Sequence, residues 1–493
     1  MSVIKKLFGQ TIIYGFSSVL ARILNFLLVP LYTILFIPSE YAVVSEMYAY
    51  AAFFMVLGSF GMETTFFRFM QIEKSKKNSK AFSTAFFFVL FNGLLLSVMG
   101  GVFQDQIAHL IRHESHPEYI TYFIFIIALD LLSIIPFALL RQQNKAFKFA
   151  FLKTLNICIN IFFNIFFLLI CPELLNNTLT SNLVATFYNS DISVGYVFIS
   201  NLIASGITVL MLVPEIKNNT NKFDKELFKK MISYAWPILI AGIAFIINET
   251  ADKILIKYLL PNGVAMRELG IYSACYKLSI FMTLFVQAYR FAAEPFFFNQ
   301  FNKPDSKKIY AIMLDFFVLF ALMIFLFVVL YIDIIKLIIP NQIYHEGIII
   351  IPIVLMANIF LGIYYNLSVW YKVTNLTKYA AIISLCGAAV TILLNLIFIP
   401  LYGYIAAAWT TLSCYLIMTI LSYYLGQKNF KINYNLKSVF KYFGFAISLF
   451  LASSIFHQAY LNIQIDNTII FLIYLIFMYW KIKKIFKKTA SPL

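Results

Sequence analysis

The feature that most constrains this chain is the recurrence of apolar runs about twenty residues long, broken by short polar clusters. An α-helix rises about 1.5 Å per residue, so a run of that length matches the roughly 30 Å hydrocarbon core of a bilayer. Fourteen stretches qualify: 9–34, 41–69, 82–103, 119–140, 150–171, 195–214, 231–259, 267–298, 309–332, 346–371, 379–400, 404–426, 438–457 and 467–481. The last is short. Of the 493 residues 61% are hydrophobic and only 12% charged, against about 25% charged in soluble domains. In lipid every backbone N–H and C=O must be satisfied inside the structure, which a helix does alone. The expected fold class is therefore all-α, a polytopic membrane protein of about 14 transmembrane helices.

The charges give the topology. The formal net charge is +16, a value that also suits nucleic-acid binding. Its distribution excludes that reading. With both termini in the cytoplasm, thirty of the 38 Lys and Arg fall on cytoplasmic segments, four outside (Arg112, Lys257, Arg267, Lys336) and four in spans (Arg22, Lys253, Lys277, Arg290). This is the positive-inside pattern. An odd number of spans would scramble it. The basic excess reports topology and contact with an anionic lipid surface.

The first apolar run, after Lys5 and Lys6, is longer than the roughly 7–15 residues of a signal-peptide core and reads as an uncleaved span. The cysteines 158, 171, 275, 386 and 414 lie in or beside apolar runs, with neither a disulfide framework nor CxxC spacing. Loops are short; the largest, 172–194, is Asn-rich. The basic link PEIKNNTNKFDKELFKK (214–230) separates a first lobe of six spans, 1–230, from a second, 231–426. Two further spans follow in 427–493. Two halves with an even number of spans would be parallel repeats. FFMVLGSFGMETTFFRF from Phe53 and IFMTLFVQAYRFAAEPFFF from Ile280 support this thinly.

Polar residues inside the spans are the candidate site. An ionisable group at membrane depth costs about 2.5 kcal/mol or more unless it is paired or faces water. The first span puts Tyr14, Ser18, Arg22 and Asn25 on one helical face. Arg22 reads either as a phosphate clamp or as an ion-pair partner of Glu46 or Glu63. The seventh span gathers Asn248, Glu249, Asp252 and Lys253; Glu249 and Lys253 are i,i+4 neighbours. These line a polar cavity or lock two helices together. In the eighth, Ser273 and Lys277 share a face, and Gln287, Arg290 and Glu294 follow; Arg290 reads as an anion ligand or as the partner of Glu294. Lys277 has no acid one turn away and looks for a partner on another helix. The fifth span carries Asn156, Asn160 and Asn164 one turn apart, which bond helices together or contact a hydroxyl-rich ligand. Asp130, alone in the fourth, is an ion site or an Arg22 partner. Pro30, Pro136, Pro237, Pro295 and Pro352 bend their spans. His109, His113 and His116 have metal-like spacing but read as a surface cluster. With no GxxxxGK[ST] stretch there is no P-loop, and neither cofactor nor metal is expected.

Three stretches carry a family resemblance. ADKILIKYLL followed by LGIYSACYKL from Leu269 resembles the seventh-to-eighth helix junction of O-antigen-type polysaccharide flippases. These belong to the multidrug/oligosaccharidyl-lipid/polysaccharide exporter superfamily. LLNLIFIPLYGYIAAAWTTLSCY (393–415) is similar to the family's eleventh-to-twelfth junction, and GFSSVLARILNFLLVPLYTILF (15–36) to its first helix. The resemblance implies two six-helix lobes around a central cavity plus two C-terminal helices. It implies translocation of undecaprenyl-diphosphate-linked oligosaccharide across a bacterial inner membrane by alternating access, for lipopolysaccharide or other surface glycan. A glycan polymerase or ligase would then be a partner.

The residues fit that reading: Arg22, Lys277, Lys253 and Arg290 would face the diphosphate, and Asn25, Asn156 and Asn160 the sugar. Glu46, Glu63, Asp130, Glu249 and Asp252 would form coupling or gating pairs. The closing pair of spans also resembles that of lipid II flippases, a sister reading. A MATE-like drug exporter would want an acidic cavity without buried Arg. A membrane glycosyltransferase or acyltransferase would want a large outer loop or a buried His, yet all five histidines sit outside. No enzyme activity is expected.

Overall fold

The apolar runs do become helices. The computed structural model describes residues 19–73, 80–301, 303–374, 376–459 and 463–490, with no strand among them. The main helices are α1 Val19–Leu35, α2 Pro38–Ser59, α3 Met62–Glu73, α4 Lys80–Val102, α5 Glu118–Gln142, α6 Ala146–Ile165 and α7 Gly195–Asn219. Then come α8 Lys225–Leu259, α9 Asn262–Lys277, α10 Ile280–Gln300, α11 Ser306–Leu330, α12 Ile351–Leu367, α13 Lys378–Asn429, α14 Leu436–Ala459 and α15 Ile463–Ala490. Among the described residues ten helices are long and apolar enough to cross a membrane, or eleven if the bent pair α9 and α10 is one span. The protein is a multi-pass membrane protein. Within the described residues, each of the fourteen expected stretches is helical, some as one helix and others as two or more consecutive helices.

Three spans depart from a straight rod. The run 41–69 is split into α2 and α3 by two left-handed residues, Phe60 (φ 53°) and Gly61 (φ 67°). The run 267–298 is broken at residues 278–279, where α9 and α10 meet at 52°. The third is the segment α13, in which the runs 379–400 and 404–426 form, as expected, two helices joined at a kink. Its interior break is Gly403, at φ 61° and ψ −148°, a conformation open essentially to glycine. The Glu268 carboxylate occupies the space a Cβ would need there and accepts the Tyr404 N–H at 3.0 Å. Pro352 lies in the first turn of α12, where proline is compatible with a helix, so it bends nothing in mid-span.

The chain packs as two compact units, Met1–Ile254 and Leu255–Leu493. In the first, α5 is the hub: 61% of its apolar window is buried, and it packs on α2, α4 and α7. The second has two hubs, α11 (61% buried) and the segment Gln342–Val373 (67%). There α12 lies along α13, and α11 packs on α12. The closing pair α14 and α15 packs on α11, tied by Asn467 donating to the Leu330 carbonyl (2.7 Å) and Tyr474 to that of Leu319 (2.9 Å). The boundaries expected from the loops, after 230 and after 426, describe membrane topology and remain a proposal.

The basic link before α8 is pinned to the start of α4. Asp224 caps α8, its Oδ1 accepting the Leu227 and Glu226 N–H groups at 3.0 and 3.1 Å. Its Oδ2 meets Lys80 Nζ at 3.1 Å. The backbone bond from Leu227, then Lys80, holds the Asp224 carboxyl below its ordinary value. A depressed carboxylate contributes stability above its unfolded pKa, about 3.9, and loses it as pH falls through the lower folded value. Protection factors across 220–230, with the intrinsic exchange rate divided out, should therefore be high at pH 7 and fall below about pH 4; Asp224→Ala should show low protection at both. Gly403→Ala should cost about 1–3 kcal/mol, read as a lower thermal midpoint in detergent.

Candidate functional site

In the first unit, polar side chains from five helices meet in a seam of hydrogen bonds. Tyr32 on α1 donates to Asn164 Oδ1 on α6 at 2.8 Å. Asn201 on α7 donates to the Tyr48 hydroxyl on α2 at 2.8 Å. Ser205 on α7 donates to Asp130 Oδ1 on α5 at 2.7 Å. Asn156 on α6 donates to Thr208 Oγ1 on α7 at 2.9 Å. Each interhelical bond of this kind is worth about 0.6 kcal/mol in a membrane protein.

The seam resolves the asparagine stripe. Asn156 and Asn164 join helices, as the commoner of the two sequence readings has it. Asn164 also donates to Asn160 Oδ1 at 3.0 Å, which leaves the partly exposed Asn160 amide nitrogen without a hydrogen bond among the described residues.

Lys153 extends the same stripe one turn nearer the start of α6. The exposed rings Phe147, Phe151 and Phe162 lie on the opposite face at 100° per residue. Lys153 lies among packed helices while its side chain keeps accessible surface. Its Nζ stands 4.2 Å over the Phe137 ring, and Asp130 and Glu63 are the acids within electrostatic reach. Sequence reasoning missed it by assigning Lys153 to the cytoplasmic loop. The signal was present: Lys153, Asn156, Asn160 and Asn164 follow at helical spacing.

Several expected pairings are different in the structure. Arg22 and Asn25 are both exposed on α1. Among the described residues Arg22 makes no ion pair, because its two expected partners are engaged elsewhere. Glu46, fully buried, meets His113 Nε2 at 2.9 Å. Glu63 meets Arg141 at 2.6 Å. Asp130 turns to Ser205 with Lys153 nearby, not to Arg22. Tyr14 and Ser18 lie outside the described residues. The three clustered histidines each face a different carboxylate: His109 Glu114, His113 Glu46 and His116 Glu118.

On α8, Lys253 Nζ lies 3.4 Å from Asp252 Oδ1 and 3.1 Å from the Glu249 carbonyl. Asn248 and Asp252 are buried there, and so is Lys257, which the charge count had assigned to the outer side. In the second unit, Lys277 is exposed at the last residue of α9, beside the break. Ser273 is buried with its hydroxyl unbonded among the described residues. Arg290 Nε stands 3.8 Å from Glu294 Oε2, while Lys372 holds Glu294 Oε1 at 2.5 Å. The sequence named the first pair and missed the closer cation.

The architecture is that of a multi-pass helical membrane protein. It is similar to the solved structure described as "Lipid II flippase MurJ, inward closed conformation", at TM-score 0.72 and 15% identity over 96% of this chain and 99% of that one. It is also similar to an inward-facing MATE-family multidrug resistance transporter of the MOP superfamily, at TM-score 0.65 and 10% identity, covering 85% and 94%. A point mutant of the Vibrio cholerae MATE transporter VcmN aligns at TM-score 0.59 and 14% identity, covering 87% and 97%. No curated protein sequence matches the chain. Residues 7–301 match the profile of the family described as polysaccharide biosynthesis protein. The chain belongs to that family.

If the seam joins helices while Lys153 serves a ligand, the two kinds of substitution separate. Asn164→Leu leaves the Tyr32 hydroxyl unpaired and should cost about 1–2 kcal/mol, lowering the thermal midpoint in detergent. Lys153→Met should leave the midpoint unchanged or raise it, because no ion pair is lost.

Proposed function

We propose that this protein is a flippase that moves an undecaprenyl-diphosphate-linked oligosaccharide from the cytoplasmic to the outer leaflet of a bacterial inner membrane, for cell-surface polysaccharide such as O-antigen. The observation that carries the reading is Lys153: a cation on α6 among the packed helices, with accessible surface and without an ion pair among the described residues. Such a group suits a phosphate-bearing cargo. Arg22, exposed on α1 and likewise unpaired, fits the same role, and Asn25 and Asn160 offer amides to sugar hydroxyls. Lys253, Lys277 and Arg290 are further cations for the head group.

Family membership supports polysaccharide over drug export. Coverage points the same way, since the lipid II flippase aligns over 96% of this chain and the MATE transporter over 85%. A diphosphate cargo needs cations where a cationic drug needs acids. Lipid II, which also carries a diphosphate, is the second reading that this likeness favours.

Alternating access carries the head group while the lipid tail stays in the bilayer. Glu46 with His113 and Glu63 with Arg141 act as gating pairs, and Asp130, Glu249 and Asp252 as coupling acids. Both termini lie in the cytoplasm, where the basic segments belong. A glycan polymerase or ligase receives the product.

The test is export in the native host. Deleting the gene should strip surface glycan and leave undecaprenyl-linked oligosaccharide on the cytoplasmic leaflet. Arg22→Ala and Lys153→Ala should each fail to restore export by at least about tenfold, the loss expected for a charge-assisted hydrogen bond, with normal protein levels. Lys153→Arg should restore most of it. Normal glycan in the deletion strain would overturn the reading; full restoration by both alanine variants would remove these cations from it.

A further inference from the structure

The Asn-rich connection 172–194 links α6 to α7 within the first unit. It has no Lys or Arg and two acids, Glu173 and Asp191. Three of its large apolar side chains nevertheless point outward: Leu179 is 90% exposed, Leu183 69% and Phe187 50%. Backbone bonds of the helical kind run through this stretch, from the Ser181, Val184, Ala185 and Tyr188 N–H groups to the carbonyls four residues back. Residues 179, 183 and 187, each one turn apart, therefore share a side. Val184, 1% exposed, anchors the stretch inward.

The connection does not stand away from the spans. Beyond Ile165 the chain runs through a π turn, Phe166–Ile170, and the short helix Cys171–Leu175. It then folds back on itself. The Phe187 ring stacks on Phe166 with centroids 6.3 Å apart and planes at 10°. Phe166 stacks in turn on Phe162, at 6.3 Å and 12°. Beside this ladder Tyr188 stacks on Tyr196 at 4.8 Å, and Tyr196 on Phe167 at 4.8 Å. Phe187 thus sits level with Phe166, inside the end of the apolar run 150–171. The depth is about 7 Å, since a helix rises about 1.5 Å per residue. Elements that lie in the membrane interface bury their apolar side by a similar amount, about 5–10 Å.

The ring ladder also continues a surface already assigned to lipid. Phe162 is exposed on the lipid side of α6, and Leu169 and Ile170 are exposed further along. Single exposed apolar residues are ordinary. A row of three that prolongs a lipid-facing side is a contact surface.

We infer that residues 179–187 form an interfacial foot, with Leu179, Leu183 and Phe187 among lipid acyl chains at the leaflet boundary. The foot lies at the end of α6 remote from Lys145 and Lys148, and its partner is the lipid surface itself. Without Lys or Arg the segment has no electrostatic attraction to anionic head groups. Burial of apolar surface holds it, and neutral lipid suffices. The foot fixes the ends of α6 and α7, the helices that carry Lys153 and its asparagine stripe. The inference stands whatever the cargo is.

Spin labels on single cysteines measure the depth, in a cysteine-free full-length protein held in nanodiscs of neutral lipid. Molecular oxygen concentrates among acyl chains, whereas a nickel chelate stays in water. Labels at Leu179→Cys, Leu183→Cys and Phe187→Cys should collide more often with oxygen than with the chelate, as should Phe162→Cys. Asp191→Cys, exposed in the same connection, should show the reverse. Phe187→Cys gives up a ring stack; if that variant does not fold, the more exposed Leu179 and Leu183 carry the test. Chelate collisions at these positions equal to those at Asp191 would overturn the inference, because the segment would then lie in water. Few collisions with either reagent would overturn it too, since a second copy or another protein would then cover the row.

Discussion

Each ionisable group carried into the spans must be matched by an opposite charge, a hydrogen bond or water, since hydrocarbon offers none of these. That requirement orders the rest of the molecule. Glu46, with no exposed surface, is matched by His113. Glu215 is matched by Lys148 at 2.5 Å, between α6 and α7. Asp130 takes a hydroxyl from Ser205. Groups matched inside the protein hold helices together. Lys153 and Arg22, which have no ionic partner among the described residues, call for water or for a ligand that brings the missing charge.

The same distinction separates scaffold from machinery along a single helix. On α6, Asn156 and Asn164 are spent on α7 and α1, while Lys153 and the Asn160 amide nitrogen are not. Phe147, Phe151 and Phe162 cover the opposite face. One helix thus has a lipid side and a polar side, and the polar side mixes contacts that fasten neighbours with groups held in reserve.

Much of the fold was legible because membrane length and positive-inside bias act on whole segments. The expected apolar runs became helices, and even the break between residues 400 and 404 was anticipated as a loop. What appears there is a tight kink at which two helices meet, fixed by Gly403 and the Glu268 carboxylate. The site was less legible, for a specific reason. Helical spacing shows which residues share a face of one helix, but charge pairing is decided between helices. Glu46 and Glu63 were offered to Arg22 on proximity in sequence, whereas their partners, His113 and Arg141, come from α5 and the loop before it. Lys372 was placed in a cytoplasmic loop, so its bond to Glu294, 78 positions earlier, gave no local signal. Lys153 suffered the same misplacement despite its position in the asparagine stripe.

The account depends on water reaching Lys153, and side-chain accessibility measures this directly. In a cysteine-free background, Lys153→Cys should react with a charged, membrane-impermeant thiol reagent in native vesicles, because thiolate chemistry requires water. Leu210→Cys, at a position 70% exposed on the apolar surface of α7, should not react. Equal resistance at both positions would contradict the account, since Lys153 would then be a structural cation in a dry contact.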